Sequence, residues 1–370
     1  DVNLGAKIDF SGFEEKDIIK YLFAENIGIV FQAKSDAEVE SKLNANNVSF
    51  YKLGTATNEA TLDFGPCTLD IAKYRDVWYK TSFLLDQKQS KNGTAQARFD
   101  NYKNQALQYT FPTHFTGKLP VISSAVERPK AAIIREKGSN SEREMANAMY
   151  LAGFDVKDVH MTDLISGRET LEDIQFIGAV GGFSNSDVLG SAKGWAVEKA
   201  KTALDNFFKR EDTLSVGICN GCQLFMELEV INPEHEVHGK MLHNESNKHE
   251  SIFTSVTVQE NNSVMLSSLA GSTLGVWVSH GEGKFNLPMG EENYNIVSKY
   301  TYEGYPANPN GSDYNTAMLC DKTGRHLVMM PHIERSTFQW NWAHYPKDRD
   351  DEVSPWHEAF VNARKWMDKK

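Results

Sequence analysis

The stretch Val216-Gly217-Ile218-Cys219-Asn220-Gly221-Cys222-Gln223 sets a cysteine between two glycines, each two residues away. An apolar strand from Thr213 to Gly217 runs into it, and a helix-like run, Gln223 to Leu228, follows at once. This Gly-x-Cys-x-Gly pattern is the cysteine version of the tight strand-to-helix turn that lifts a nucleophile out of a sheet. The glycines matter because such a turn leaves no room for side chains beside a strained residue. At a helix N-terminus, the backbone N–H groups and the helix dipole favour a thiolate. The bland alternative is a buried, inert cysteine. A second alternative comes from Cys222, which makes a Cys-x-x-Cys with Cys219 and suits a thiol redox pair. A zinc knuckle would need about four ligands, and no second Cys-x-x-Cys exists.

A thiol nucleophile needs a base. An apolar strand, His326 to Met330, leads into Pro331-His332-Ile333-Glu334-Arg335. His332 stands just past the strand, with Glu334 two residues on to hold the imidazole in one tautomer and stabilise its charged form. Ser279-His280-Gly281-Glu282-Gly283 offers a rival, since Glu282 stands at the same spacing from His280. His280 ranks second because the flanking glycines are less able to hold a ring in place. Gly181-Gly182-Phe183-Ser184, at the end of another strand, offers backbone N–H groups for a developing oxyanion. The N–H of Asn220 would be the second donor.

These pieces need elements to carry them. From Pro129 the pattern alternates: strands at 131–134, 154–159, 174–180 and 214–217, with an amphipathic helix at 140–151 and a helical pattern over 187–208 containing Trp195, Val197 and Leu204. That order predicts an α/β fold with a mostly parallel sheet and helices on both faces, whose site lies beyond the carboxyl ends of the strands. After Glu227 the chain turns more β-like, with strands expected at 252–259, 275–279, 294–300, 316–320 and 327–330, and a last helix at 354–368 resting on Trp356, Phe360, Val361 and Trp366. Upstream, residues 1–56 read as a small α+β unit with a helix at 13–25, a buried strand at 28–32, a second helix capped at Ser35 and a strand at 48–54. Residues 57–128 read as a connecting segment, with helices at 74–85 and 98–107.

Composition narrows the class. The 370 residues are 40% hydrophobic and 24% charged, as in an ordinary soluble protein. The net charge of −11 argues against nucleic acid or an anionic membrane as a partner. No apolar run approaches the roughly 18 residues that span a bilayer. Four scattered cysteines fit a reducing cytoplasm. The chain begins at Asp1 without a methionine or signal-like segment, which reads as a fragment or a processed product.

Taken together, Gly181-Gly-Phe-Ser184, Asp187-Val-Leu-Gly190, Gly217-Ile-Cys-Asn-Gly-Cys-Gln223, Ser279-His-Gly-Glu-Gly283, Asn310-Gly-Ser312 and Met330-Pro-His-Ile-Glu-Arg335 resemble the class I (triad) glutamine amidotransferases, in their large purine-biosynthetic form. The resemblance covers 129–370. It implies a flavodoxin-like glutaminase domain there, with catalytic Cys219, His332 and Glu334. Gly182, Phe183, Asn220, Gln223 and His280 are the candidate oxyanion and substrate contacts. Upstream, Glu25 to Gln32 and Arg75-Asp-Val-Trp78 look like the tail of an aminoimidazole-ribonucleotide-synthetase-like domain. The resemblance implies L-glutamine as substrate, no metal and no cofactor in the glutaminase domain, and ATP and Mg2+ used by an N-terminal synthetase portion of the same enzyme. Where such enzymes often carry glycine and proline, this chain has Ser186 and Ile333. Another triad amidotransferase or a Cys-His hydrolase on the same fold stands as the alternative, beside the redox domain.

Overall fold

The computed structural model describes residues 3–104, 107–122, 127–188, 190–195, 198–302 and 304–369. It divides into two compact units, Asp1–Lys88 and Gln89–Lys370. The segment expected to connect, 57–128, is therefore shared between them.

In the first unit, β1 (Gly5–Ile8), β2 (Gly54–Thr57), β3 (Thr61–Asp63) and β4 (Thr68–Asp70) form a sheet in the order β2-β1-β3-β4. Its helices are α1 (Ile18–Leu22), α2 (Asp36–Ala45) and α3 (Ile71–Gln89). The Ser35 side chain accepts the Glu38 N–H and starts α2, as its capping pattern predicts. The helix expected over 13–25 shrinks to the single turn and a half of α1. The strand expected over 28–32 does not form, and Ile29 and Val30 are 88% and 81% exposed. A strand exists only by pairing, and no described edge pairs with these residues. The strand expected at 48–54 gives way to β2, which begins at Gly54.

The second unit carries α4 (Thr94–Asn101), β5 (Lys130–Arg135), α5 (Glu142–Leu151), β6 (Asp155–His160), α6 (Met161–Ser166), β7 (Phe176–Ala179), α7 (Glu198–Lys209), β8 (Leu214–Ile218) and α8 (Asn220–Glu227). Six strands follow, β9 (Lys240–Leu242), β10 (Glu250–Val258), β11 (Thr273–His280), β12 (Lys284–Asn286), β13 (Asn295–Tyr300), β14 (Thr316–Cys320), with β15 (His326–Met329) and α9 (His357–Met367) ending the chain. The helical pattern over 187–208 resolves into a 3-10 turn, Ser191–Trp195, and α7. Val197 lies outside the described residues, as do 105–106 of the helix expected over 98–107.

Nine strands make one sheet in the order β11-β10-β13-β14-β15-β8-β7-β5-β6. From β15 to β6 neighbouring strands are parallel, and from β11 to β15 they are antiparallel. The β-rich continuation of the sequence thus extends the parallel half instead of forming a separate layer. β7 and β8 are buried at every position, which is why they read as continuous apolar runs instead of alternating ones. α5 turns Met145, Ala148 and Met149 inward. α9 buries Trp356 at its start and Ala359, Phe360, Ala363 and Met367 along it, whereas Val361 and Trp366 are half-buried. Among the described residues no helix is long and apolar enough to cross a membrane.

Candidate active site

Three adjacent parallel strands, β15, β8 and β7, end side by side. Their following residues converge by construction: His332 after β15, Cys219 after β8, and Gly181-Gly182 after β7. This is the carboxyl-end position where ligands sit in open α/β sheets.

Cys219 is the first of these. Its N–H donates to the Met329 carbonyl at 2.8 Å and its carbonyl accepts the Gln223 N–H at 3.0 Å, so it links β15 to the first turn of α8. Its φ of 53° and ψ of −106° lie where a residue with a Cβ is strained, at a cost of about 1–3 kcal/mol. The flanking glycines explain how the turn fits. A Cβ on Gly221 would fall 2.1 Å from the Ala179 carbonyl oxygen, and one on Gly217 would fall 2.7 Å from the Gly221 oxygen. The helix can therefore start hard against β7 only if both positions lack side chains. Cys219 is 6% exposed, with its sulfur 3.6 Å from the Ser279 carbonyl oxygen, and its Cβ and the edge of the His332 ring both close on the Gly181 backbone.

His332 is held from both sides. Its N–H donates to the Trp277 carbonyl at 2.8 Å, fastening it to β11, and its Nδ1 lies 2.6 Å from Glu334 Oε1. Ile333, fully buried in the short 3-10 turn Ile333–Arg335, keeps that loop pinned without the second proline. Burial would lower the imidazole, but the Glu334 carboxylate and the hydrogen bond with Cys219 more than offset it and push it up to about 10. The ring is thus imidazolium at neutral pH, the natural counter-ion of a thiolate. Because this value is raised above the unfolded one, the stabilisation it brings is complete below about pH 6.5, and it is lost as pH rises through about 10. Glu334 Oε2 is buried with no hydrogen-bond partner among the described residues. A cavity of about 760 Å³ reaches Ser279, His332 and Glu334, with Trp277, Phe338 and Trp340 in its wall.

The glycine loop also converges on this point. A Cβ on Gly181 would lie 2.8 Å from His332 Cε1 and 3.2 Å from Cys219 Cβ. A Cβ on Gly182, whose φ is 128°, would run into the Ser139 and Asn140 backbone. The Gly182 N–H has no partner among the described residues, while the Phe183 N–H donates to the Gly138 carbonyl at 2.9 Å. Phe183 is therefore corrected as a backbone donor, because its hydrogen is already used to pair this loop with 138–140. Asn220, at the first position of α8, has the free N–H expected of a helix start. Beyond the loop, Asn185 and Ser186 take left-handed conformations with φ of 50° and 65°. That gives a physical reason for a glycine preference at 186. Ser186→Gly is expected to raise stability by up to about 1 kcal/mol, read as a shift in the denaturant midpoint.

The rival histidine turns out to have a different part. His280 is 3% exposed and lies between Asn244 Oδ1 at 3.2 Å and Asn310 Nδ2 at 3.4 Å. Burial, with the positive His332 nearby, lowers its ring to about 3. A neutral ring with both nitrogens engaged by protein amides is a structural member of a buried network that also contains Ser312 and Tyr300. The Asn310-Gly-Ser312 motif belongs to that network. Gln223 uses both ends of its amide, accepting from Asn220 Nδ2 at 2.7 Å and donating to the Glu282 carbonyl at 2.8 Å.

Cys222 is fully buried in α8, and all four cysteines are free. Burial, then the neighbouring Cys219 sulfur, push its thiol well up. An inaccessible thiol of this kind is a poor partner for disulfide exchange. Cys222→Ser is expected to leave turnover in the glutaminase reaction that the sequence motifs imply within about threefold of wild type, measured as glutamate release. Among the described residues no three His, Cys, Asp or Glu side chains are grouped to hold a metal ion.

A strained thiol beside a histidine that is itself held by a buried carboxylate is an arrangement able to open acyl bonds through a covalent thioester. Comparison with known families carries this one step further. The model of the CobB/CobQ-like glutamine amidotransferase domain matches residues 128–367, and the chain belongs to that family. It is 36% identical over 409 residues to the probable phosphoribosylformylglycinamidine synthase, chloroplastic/mitochondrial, of Arabidopsis thaliana, an alignment that covers 99% of this chain and 28% of that protein. It is 35% identical to phosphoribosylformylglycinamidine synthase of Homo sapiens, over 98% of this chain and 30% of that one. The chain thus spans less than a third of these relatives. Among solved structures, PurLQS from Thermotoga maritima superposes with a TM-score of 0.52 at 24% identity, covering 65% of this chain and 100% of that one. That likeness agrees with the α/β fold.

Proposed function

We propose that this chain is the glutaminase portion of a phosphoribosylformylglycinamidine synthase. The observation that carries the reading is the His332 ring, held by Glu334 at 2.6 Å and meeting Cys219 across the Gly181 backbone. Cys219 Sγ attacks the side-chain amide carbon of L-glutamine, and the carbonyl π pair moves onto oxygen. The N–H groups of Asn220 and Gly182 receive that oxyanion. His332 gives its proton to the departing nitrogen, the C–N bond breaks, and ammonia leaves a glutamyl thioester on Cys219. Water, deprotonated by His332, then releases glutamate and restores the thiolate. Glu334 holds the ring in place throughout.

The ammonia is consumed in a synthetase portion of the same enzyme, where it displaces the ATP-activated oxygen of formylglycinamide ribonucleotide to give the amidine. ATP and Mg2+ belong to that portion. The first unit, Asp1–Lys88, is the tail of the aminoimidazole-ribonucleotide-synthetase-like domain, extending past the boundary at 56 that the sequence suggested, and 129–370 are the glutaminase. The setting is the cytoplasm, with neither nucleic acid nor membrane as partner. The test measures glutamate release by this chain alone and after addition of the synthetase portion. Weak release alone that rises on addition supports the reading. No release in either case contradicts it.

A further inference from the structure

Glu282 is placed to do something that the triad does not explain. Its carboxylate accepts the Gly190 N–H through both oxygens, at 3.2 and 3.1 Å, while its own carbonyl accepts Gln223 Nε2 at 2.8 Å. Gln223 Oε1 takes Asn220 Nδ2 at 2.7 Å, and the same Nδ2 lies 3.4 Å from Ser191 Oγ. Ser191 in turn receives the hydroxyl of Ser184, at the end of the Gly181-Gly182 loop. The bonds close a ring of three elements around the nucleophile: the first turn of α8, the loop after β11, and the stretch that begins the Ser191–Trp195 turn. Glu282 is the member that holds two of these elements at once, one with its backbone and one with its side chain. Its side chain is 22% exposed, and His243 Nε2 lies 3.8 Å from its Oε1.

We propose that Glu282 is a positioning residue for the amide substrate: by clamping Gly190 and the Ser191–Trp195 turn against α8, it fixes one wall of the glutamine subsite. The proposal rests on the glutaminase reading. Removing the carboxylate frees Gly190 but leaves the backbone carbonyl on Gln223, so α8 and the triad keep their anchor. The wall therefore loosens while the chemistry is retained. The second consequence is that an amide at 282 suffices, because one side-chain oxygen is enough to accept a single N–H.

The experiment compares wild type, Glu282→Ala and Glu282→Gln in the full-length enzyme, with steady-state glutamate release as the readout. For Glu282→Ala, KM for glutamine is expected to rise roughly tenfold, the loss of one hydrogen bond, with kcat within about threefold of wild type. Glu282→Gln is expected to restore KM to within about threefold of wild type. An unchanged KM in Glu282→Ala, or a Glu282→Gln as impaired as the alanine variant, overturns the clamp. No glutamate release by the wild-type enzyme is a separate result, which overturns the glutaminase reading beneath it.

Discussion

Replacement of Cys219 by alanine abolishes glutamine hydrolysis, with turnover down by roughly 10⁴–10⁶-fold. The size follows from the site having one nucleophile. Cys222 lies in the same helix, but it is fully buried with its thiol pushed well up, so it supplies no substitute thiolate. The strain at Cys219 points the same way. A backbone held at φ 53° survives because Gly217 and Gly221 let α8 close against β7. The fold itself is expected to tolerate alanine, since the side chain removed is small and the strained backbone remains. Steady-state glutamate release, with the unfolding midpoint as a control, reads both effects. Retention of more than about a hundredth of the wild-type rate would show that another group carries the attack.

Glu334→Gln is the second large effect, expected at roughly 10²–10⁴-fold in turnover. The amide can still accept from Nδ1, so the ring keeps a partner, but it loses its counter-charge. Burial is the largest influence on His332, and it acts downward. The Glu334 carboxylate is the foremost opposing one. With the charge removed, burial prevails and the imidazolium loses its proton at lower pH. The wild-type enzyme should therefore hold its rate up to an alkaline limb near pH 10, where His332 ceases to be the acid that protonates departing ammonia. In the variant that limb moves to lower pH. A pH–rate profile measured on both proteins checks the sign, and a limb that stays in place would show that Glu334 does not set the charge of the ring.

Much of this arrangement is legible in the chain because its determinants are local. The glycines around Cys219, the His332–Glu334 spacing and the run of apolar strands each follow from a few neighbouring residues. The strand order then brings them together. What sequence reasoning could not settle is non-local. His280 and His332 carry a carboxylate at the same spacing and are both buried, but Glu334 reaches its ring at 2.6 Å, whereas Glu282 turns to the Gly190 N–H and leaves His280 between Asn244 and Asn310. Phe183 looked like an oxyanion donor until the bridge between Ser139 and Gly182 claimed its N–H. The Glu282 clamp joins residues 92 positions apart, through a backbone N–H that no side-chain pattern reveals. Gly28 to Gln32 has the composition of a buried strand, but pairing decides, and among the described residues none is available. Ser186 gave a signal that could have been used, since a left-handed backbone is what a preference for glycine usually encodes.

The central claim is that Cys219 forms the acyl bond with glutamine. The most direct measurement treats the full-length enzyme with the glutamine-directed affinity label diazo-oxo-norleucine and maps the adduct by mass spectrometry. The account predicts one adduct, on Cys219, formed with loss of glutaminase activity and prevented by excess glutamine. An active enzyme that takes no label, or takes it at Cys222 instead, would contradict it.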